Sequence, residues 1–542
     1  MPIARRICLT RTGAGPVRIW FRGFAALTFL LVLSVAWFPT FSQTAGTPPA
    51  SSSQSDVAEL LDVLLANGTI TQQQYDTLKK HYAAKQAIQA AAVQPASATP
   101  APDAAALEQS AKPSETAAKV VTATDGAVGF HVGQVDLTFS GEINGFYVYD
   151  HPDTNAAGCV LCLASVGEEP TSSVRNGLLP GNLNIKLSTR QNGLDVAAVF
   201  GIWPGIESLM LNTGGINLSN GNSTGFGVAG VDFRQQYLTV GNARMGTFKV
   251  GRDLGFFGQE AILNDMTLLG AGTTNGSNAG PGPGSVTLGR IGLGYIYTDF
   301  MPQISWSSPT AHGLQVAGAV FQPLNDAIST TLGLSQLSAP LTGDGQPQFQ
   351  IKATYAVPAK GPVKTNFWTN YLTQSMEANA ATAASDPLLK IAPGQSVRAN
   401  GVDYGGKIGF KGASFVAYGY NGWGIGTEGL LFLATSPSGA TRPSDGYYAQ
   451  GTYTFAKKWT LGASYGESNL HRASSGETVC TGTITLCTDS ITKNNQSFVG
   501  QARYGLTSWV NLIGEFTHTR SESQGDSVST SNSFALGTIA FF

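Results

Sequence analysis

Charge is scarce in this chain: 12% of its 542 residues are Asp, Glu, Lys or Arg, against about 25% in typical soluble domains. The 32 basic and 34 acidic residues leave a formal net charge of -2, without the basic surplus that a nucleic-acid-binding protein normally carries. No GxxxxGK[ST] phosphate loop is present, and "GAGTTNG" at residues 270–276 has the wrong spacing for a dinucleotide fingerprint, so it reads as loop glycine. After the N-terminal region no apolar run reaches the roughly 20 residues that a membrane-spanning helix needs. What is abundant is Gly, with 66 residues, and aromatic residues at 10%. Few charges beside many glycines and aromatics indicate extended β-structure with little conventional hydrophilic surface.

The chain opens with Arg5, Arg6, Arg11, Arg18 and Arg22, an apolar run over 23–38, and Thr40-Phe41-Ser42 as a small-x-small cleavage site. That pattern predicts a secretory signal peptide over residues 1–42. Of the five cysteines Cys8 leaves with the signal. The rest form two local pairs, Cys159 with Cys162 and Cys480 with Cys487, expected to be loop disulfides in an oxidising compartment. No His ligands accompany the CxxC, so neither a metal nor another cofactor is expected. Residues 55–92 read as a helical periplasmic module, with a coiled coil as one packing open to it: Leu60, Leu61, Leu64 and Leu65 share a helical stripe that stops at Asn67-Gly68, and Thr71 with Gln74 forms a capping box for a second helix. An Ala, Pro, Thr and Ser rich linker occupies 93–133.

From residue 134 to 542 the periodicity is two. Leu183, Ile185 and Leu187 alternate with Asn184, Lys186 and Ser188, and Asn192-Gly193 then turns the chain into a second apolar strand. Strands are predicted at 135–149, 183–190, 194–203, 233–241, 246–252, 303–308, 314–321, 348–357, 363–373, 401–410, 414–423, 447–455, 460–468, 497–504, 510–519 and 533–542. Short turns alternate strictly with long loops, which a soluble sandwich does not require and a transmembrane antiparallel β-barrel of about 16 strands does. Trp459 and Trp509 fall at short turns, and Trp203 and Trp423 at long-loop ends, as two interfacial girdles. The last strand, ending in Phe541-Phe542, is expected to pair with the first and abolish both edges.

The stretch "GTFKVGRDLGFFGQEAILNDM" (246–266), followed by "QISWSSPTAHGLQVAGAVF" (303–321), resembles the fifth strand, constriction loop and next hairpin of trimeric Gram-negative porins. The prefix "ELLDVLLANGTITQQQYDTL" is similar to the one that precedes the barrel in phosphate-selective and DcaP-like porins. The resemblance implies an outer-membrane homotrimer embedded in lipid, with an inward-folded third loop over 253–302, through which small hydrophilic solutes diffuse. It also implies that the terminal Phe542 is read by the barrel assembly machinery.

In such a pore the chemistry is selection by a ring of charge. The candidate ring is Lys186, Arg190, Arg234, Lys249 and Arg252 on early strands, faced by Asp253, Glu260 and Asp265. Parity turns Lys186, Arg190 and Lys249 inward, which predicts a mild anion preference, organic acids among the solutes. Two other readings stay open. A barrel lipase or protease needs a His beside a Ser and an acid or amide, and His151, His312, His471 and His518 sit in or near loops. A structural or adhesive barrel would conduct nothing. The apolar run at residues 429–434 lies in an expected external loop without an assigned role.

Overall fold

At Gln348–Ala356 successive side chains enter two different surroundings: Phe349 and Ile351 are 45% and 59% exposed, while Gln348 and Gln350 are 0% and 1% exposed. Repetition of this alternation, apolar residues outward and mostly polar ones inward, builds a closed wall. The computed structural model describes residues 121–123, 128–153, 159–164, 170–206, 231–274, 286–326, 337–343, 345–358, 361–378, 391–474, 477 and 487–542. The signal peptide and the helical module at 55–92 lie outside them, as does Cys480.

In chain order the strands are β1 (Val121–Ala123), β2 (Val128–Val132), β3 (Val135–Asp153), β4 (Thr171–Arg175), β5 (Asn182–Gln191), β6 (Leu194–Pro204), β7 (Val231–Asn242), β8 (Gly246–Leu254), β9 (Phe300–Ser307) and β10 (Leu314–Phe321). They continue as β11 (Leu341–Gly343), β12 (Gln348–Ala356), β13 (Val363–Ala378), β14 (Ser396–Phe410), β15 (Ala413–Trp423), β16 (Pro443–Phe455), β17 (Trp459–Leu470), β18 (Thr492–Gly505), β19 (Val510–Ser523) and β20 (Val528–Phe541). Leaving out the short β1, β2, β4 and β11, the other sixteen form the closed antiparallel barrel. The seam joins β20 to β3 from Glu142↔Phe541 to Asp153↔Thr530. Gly141 and Phe542 then exchange N–H···O bonds of 3.0 and 3.1 Å, and a β-carbon at Gly141 would collide with the Asn182 carbonyl and the Phe542 ring. Closure leaves no unpaired edge, so the backbone is satisfied within the wall and can face lipid. Among the described residues no helix is long and apolar enough to cross a membrane, which says nothing of a β-barrel.

Turn chemistry fixes one end of the barrel. Asn192-Gly193, His312-Gly313 and Lys411-Gly412 all hold paired positive φ angles, 51° with 77°, 50° with 89° and 45° with 91°, the handedness that two-residue hairpins need. The structure differs from expectation in three places, the first at this same end and the other two at the long-loop end. Strands β1 and β2 lie inside the segment read as linker, where β2 pairs with the start of β3. The last loop shrinks to residues 524–527, closed by Ser523 N–H to the Ser527 carbonyl at 2.9 Å, because β19 and β20 run on through polar sequence with no apolar alternation to reveal them. Trp203 does not join an outer girdle: a bulge between Gly201 and Trp203 turns it inside, buried beneath Arg234. Trp423 and Trp509 are exposed at opposite ends.

Candidate functional site

The described residues of the connection between β8 and β9, 255–274 and 286–299, run inside the barrel, and their path follows from the first of them. Gly258 adopts φ 77°, a left-handed position where a side chain would meet the Ile296 carbonyl, and turns the chain into the short helix α1 (Gln259–Asn264). Inward side chains then hold the loop strand by strand. Gln350 Oε1 on β12 accepts from the backbone N–H of Phe256 and Phe257 at 2.6 and 2.8 Å, and Asp403 Oδ2 on β14 accepts from Gly258 N–H at 2.6 Å. On β16 Gln450 Oε1 accepts from Met266 N–H at 2.9 Å, and Tyr448 donates to the Ala261 carbonyl at 2.8 Å. Gln501 Nε2 on β18 donates to the Met266 carbonyl at 3.0 Å, and the Glu515 carboxylate on β19 accepts from Ala271 N–H at 2.9 Å and from Gly272 N–H. The loop thus lies against the inside of the barrel wall.

Apolar packing seconds these bonds. Phe256, Phe257, Ile262, Tyr295 and Ile296 of the loop share one buried cluster with Phe321, Trp368, Val416, Tyr418, Tyr420 and Tyr448, whose side chains the wall turns inward. The loop at residues 424–442 joins the same cluster through Ile425, Leu430, Leu431 and Ala434, and Tyr297 N–H donates to the Glu428 carbonyl at 2.6 Å. Burial pushes the Glu428 carboxyl well above the usual carboxylate range. The apolar run at 429–434 therefore folds into the barrel mouth.

The sequence-derived ring separates into several settings. Lys186 points into the lumen and is exposed there. Arg190 sits beside the Asn192-Gly193 turn, 3.3 Å from Asp195. Arg234 Nε pairs with Asp232 at 2.9 Å, and the guanidinium lies 5.2 and 5.5 Å from the ring centres of Trp203 and Phe300. Lys249 pairs with Asp253 on the same strand, four residues on, so this acid stands beside the bases instead of across from them. Gln235 Nε2 donates to Asp253 at 2.9 Å. Arg252 Nε donates to the Phe300 carbonyl at 3.3 Å. Glu260 on α1 meets Lys352 at 3.2 Å. Asp265 is buried, accepting from Tyr295 at 2.9 Å and Thr267 at 2.8 Å.

Three basic residues outside that ring complete the picture. Lys352 lies two residues beyond Gln350, Lys407 four beyond Asp403 and Arg503 two beyond Gln501, each on a strand that runs from the loop toward the short turns. Even steps keep one face, so these bases stand roughly 7–14 Å below the loop anchors. Lys407 Nζ donates to Asn264 Oδ1 at 3.1 Å; among the described residues neither it nor Lys186 nor Arg503 has an acidic partner. Parity beside Ile351, Ile408 and Tyr504 signals their direction, and the sequence reading passed over them. The inward acids, by contrast, are engaged: Asp403 and Glu515 hold the loop, Asp253 meets Lys249, and Glu142 takes Asn144 Nδ2 at 3.0 Å. Of the histidines, His471 Nε2 meets Asp445 Oδ1 at 2.5 Å and His518 Nδ1 meets Asn532 Oδ1 at 2.9 Å. Cys159 and Cys162 are joined by a disulfide, and Cys487 is disulfide-bonded as well.

A closed sixteen-strand wall with a loop held inside it is matched by one family model, the Gram-negative porin, over residues 96–524. The chain belongs to the Gram-negative porin family. The outer membrane channel DcaP of Acinetobacter baumannii superposes with a TM-score of 0.50 at 13% identity, covering 75% of this chain and 97% of that one. An anion-selective porin from Comamonas acidovorans gives 0.45 at 12% identity, covering 75% and 100%. No curated protein matches the chain. As a porin it is an outer-membrane channel, with short turns facing the periplasm and long loops outside.

Proposed function

We propose that this porin admits small hydrophilic solutes with a preference for anions, organic acids among them, and that its selectivity belt is Lys186, Lys407 and Arg503. The observation that carries the reading is the asymmetry of partners: the inward acids Asp403, Glu515, Asp253 and Glu142 are each held by a loop N–H, a base or an amide, while among the described residues these three cations, on β5, β14 and β18, form no ion pair with an acid. A low-dielectric wall focuses such a field into the lumen, whereas the net charge of the chain is screened beyond roughly 10 Å at ordinary salt. A homotrimer in outer-membrane lipid, with Phe542 read by the assembly machinery, belongs to the same reading through family membership. Changing Lys186, Lys407 and Arg503 together to Gln is expected to move the reversal potential in a potassium chloride gradient toward cations at little cost to folding. A reversal potential that stays where it was would place the selecting charges elsewhere.

A further inference from the structure

Beyond the belt, the external loops meet over the mouth, and one buried side chain joins three of them. Arg442, fully buried at the end of the loop that leads into β16, directs Nη1 to the Leu433 carbonyl at 3.0 Å and Nη2 to the Leu337 carbonyl at 2.8 Å. Its Nε and Nη2 reach the two carboxylate oxygens of the buried Glu477 at 3.2 and 3.3 Å. Glu477 Oε1 in turn accepts from Ala473 N–H at 2.9 Å. Around this pin Leu337, Phe432, Leu433, Leu470 and Ile491 form an apolar cluster contributed largely by loops, with Val160 and Leu161 packed against it. The disulfide-bonded segments brace the edge, since Val160 N–H donates to the Ser490 carbonyl at 2.6 Å and Thr492 N–H to the Val160 carbonyl at 3.0 Å. The capped loop at 424–442 reaches down to the constriction loop through the Tyr297 to Glu428 bond.

We propose that Arg442 is a positioning residue for solute entry: by pinning the external loops it holds residues 430–434 inside the mouth and sets an upper size limit, separately from the charge belt below. Removing a hydrogen-bonded partner from a buried ion pair leaves the other charge uncompensated, so the cap and not the closed wall gives way. The two filters are distinguishable, because reversal potential reports the belt and the uptake of neutral sugars reports the cap.

The test uses the full chain in liposomes, with swelling rates for neutral mono- to tetrasaccharides and the reversal potential read on the same preparations. Arg442→Ala is expected to admit the larger sugars several-fold faster, with monosaccharide uptake and the sign of selectivity unchanged. Ser338 Oγ and Thr435 Oγ1, 3.4 Å apart, bridge two of the pinned loops, so Ser338→Cys with Thr435→Cys in the Arg442→Ala background is expected to restore the cut-off when oxidised and lose it when reduced. Arg442→Lys, which keeps the charge and not the fork of donors, is expected to lie between and decides the matter if the alanine variant does not insert. An unchanged cut-off in the inserted Ala and Lys variants, or equal acceleration of every sugar, overturns the proposal.

Discussion

Changing both Asp403 and Glu515 to Ala is expected to release the loop held inside the barrel and raise single-channel conductance several-fold while the barrel still inserts. Asp403 accepts from Gly258 N–H and from Asn370 Nδ2, each at 2.6 Å, and Glu515 accepts from Ala271 N–H at 2.9 Å and Gln501 Nε2 at 2.5 Å. Hydrogen bonds to charged groups contribute about 1.5–3 kcal/mol each. The two anchors lie on β14 and β19 and share no partner, so their losses are expected to add. The wall keeps its own ladder of backbone bonds throughout. Either single variant is expected to give noisier current with a smaller rise. A double variant that inserts and conducts like the parent would show that apolar packing alone holds the loop.

Leu536→Arg is expected to produce the largest loss of stability from a single change, about 2–4 kcal/mol, the range for a basic residue near the bilayer midplane on the lipid face of a barrel. Leu536 is 59% exposed on β20 and pairs with Tyr147 across the seam and with Gly514 on β19, a position well inside the strand. Lys186→Gln, on the lumen face of β5, is the control and is expected to cost little. Denaturant titration of both variants in lipid vesicles reads the difference. Equal stability of the two would mean that Leu536 does not face the acyl chains.

Much of the wall was legible because a lipid-facing strand has to alternate. Leu183, Ile185 and Leu187 set the register of β5, and Asn192-Gly193 set its turn. Alternation fails as a guide where both faces meet the same medium. Above the membrane β19 and β20 are polar on both sides, which made a four-residue turn look like a long loop. Inside the barrel Val416, Tyr418 and Tyr420 are apolar because a loop covers them, not because they face lipid. The path of that loop depends on partners far apart in sequence: Gly258 and Asp403 are 145 residues apart, Ala271 and Glu515 are 244. No local pattern encodes such contacts.

The same limit governed the site. Parity showed that Lys186 and Lys249 turn inward, and by the same rule it applies to Lys352, Lys407 and Arg503. It does not show which bases are neutralised. Lys249 is held by Asp253 and Lys352 by Glu260, whereas Lys186 and Arg503 stand without an acid among the described residues. Asp265 drew notice as a charge on the loop, yet it is buried against Tyr295 and Thr267 and braces the loop from within. Burial and partner identity come from tertiary structure, and they decide which charges a passing ion meets.

The belt of bases without acidic partners is tested most directly by the reversal potential of the unmodified porin in a planar bilayer under a potassium chloride gradient. An anion-selective sign is the expected result, and it should invert when Lys186, Lys407 and Arg503 are all changed to Glu. A cation-selective sign for the unmodified protein would contradict the account.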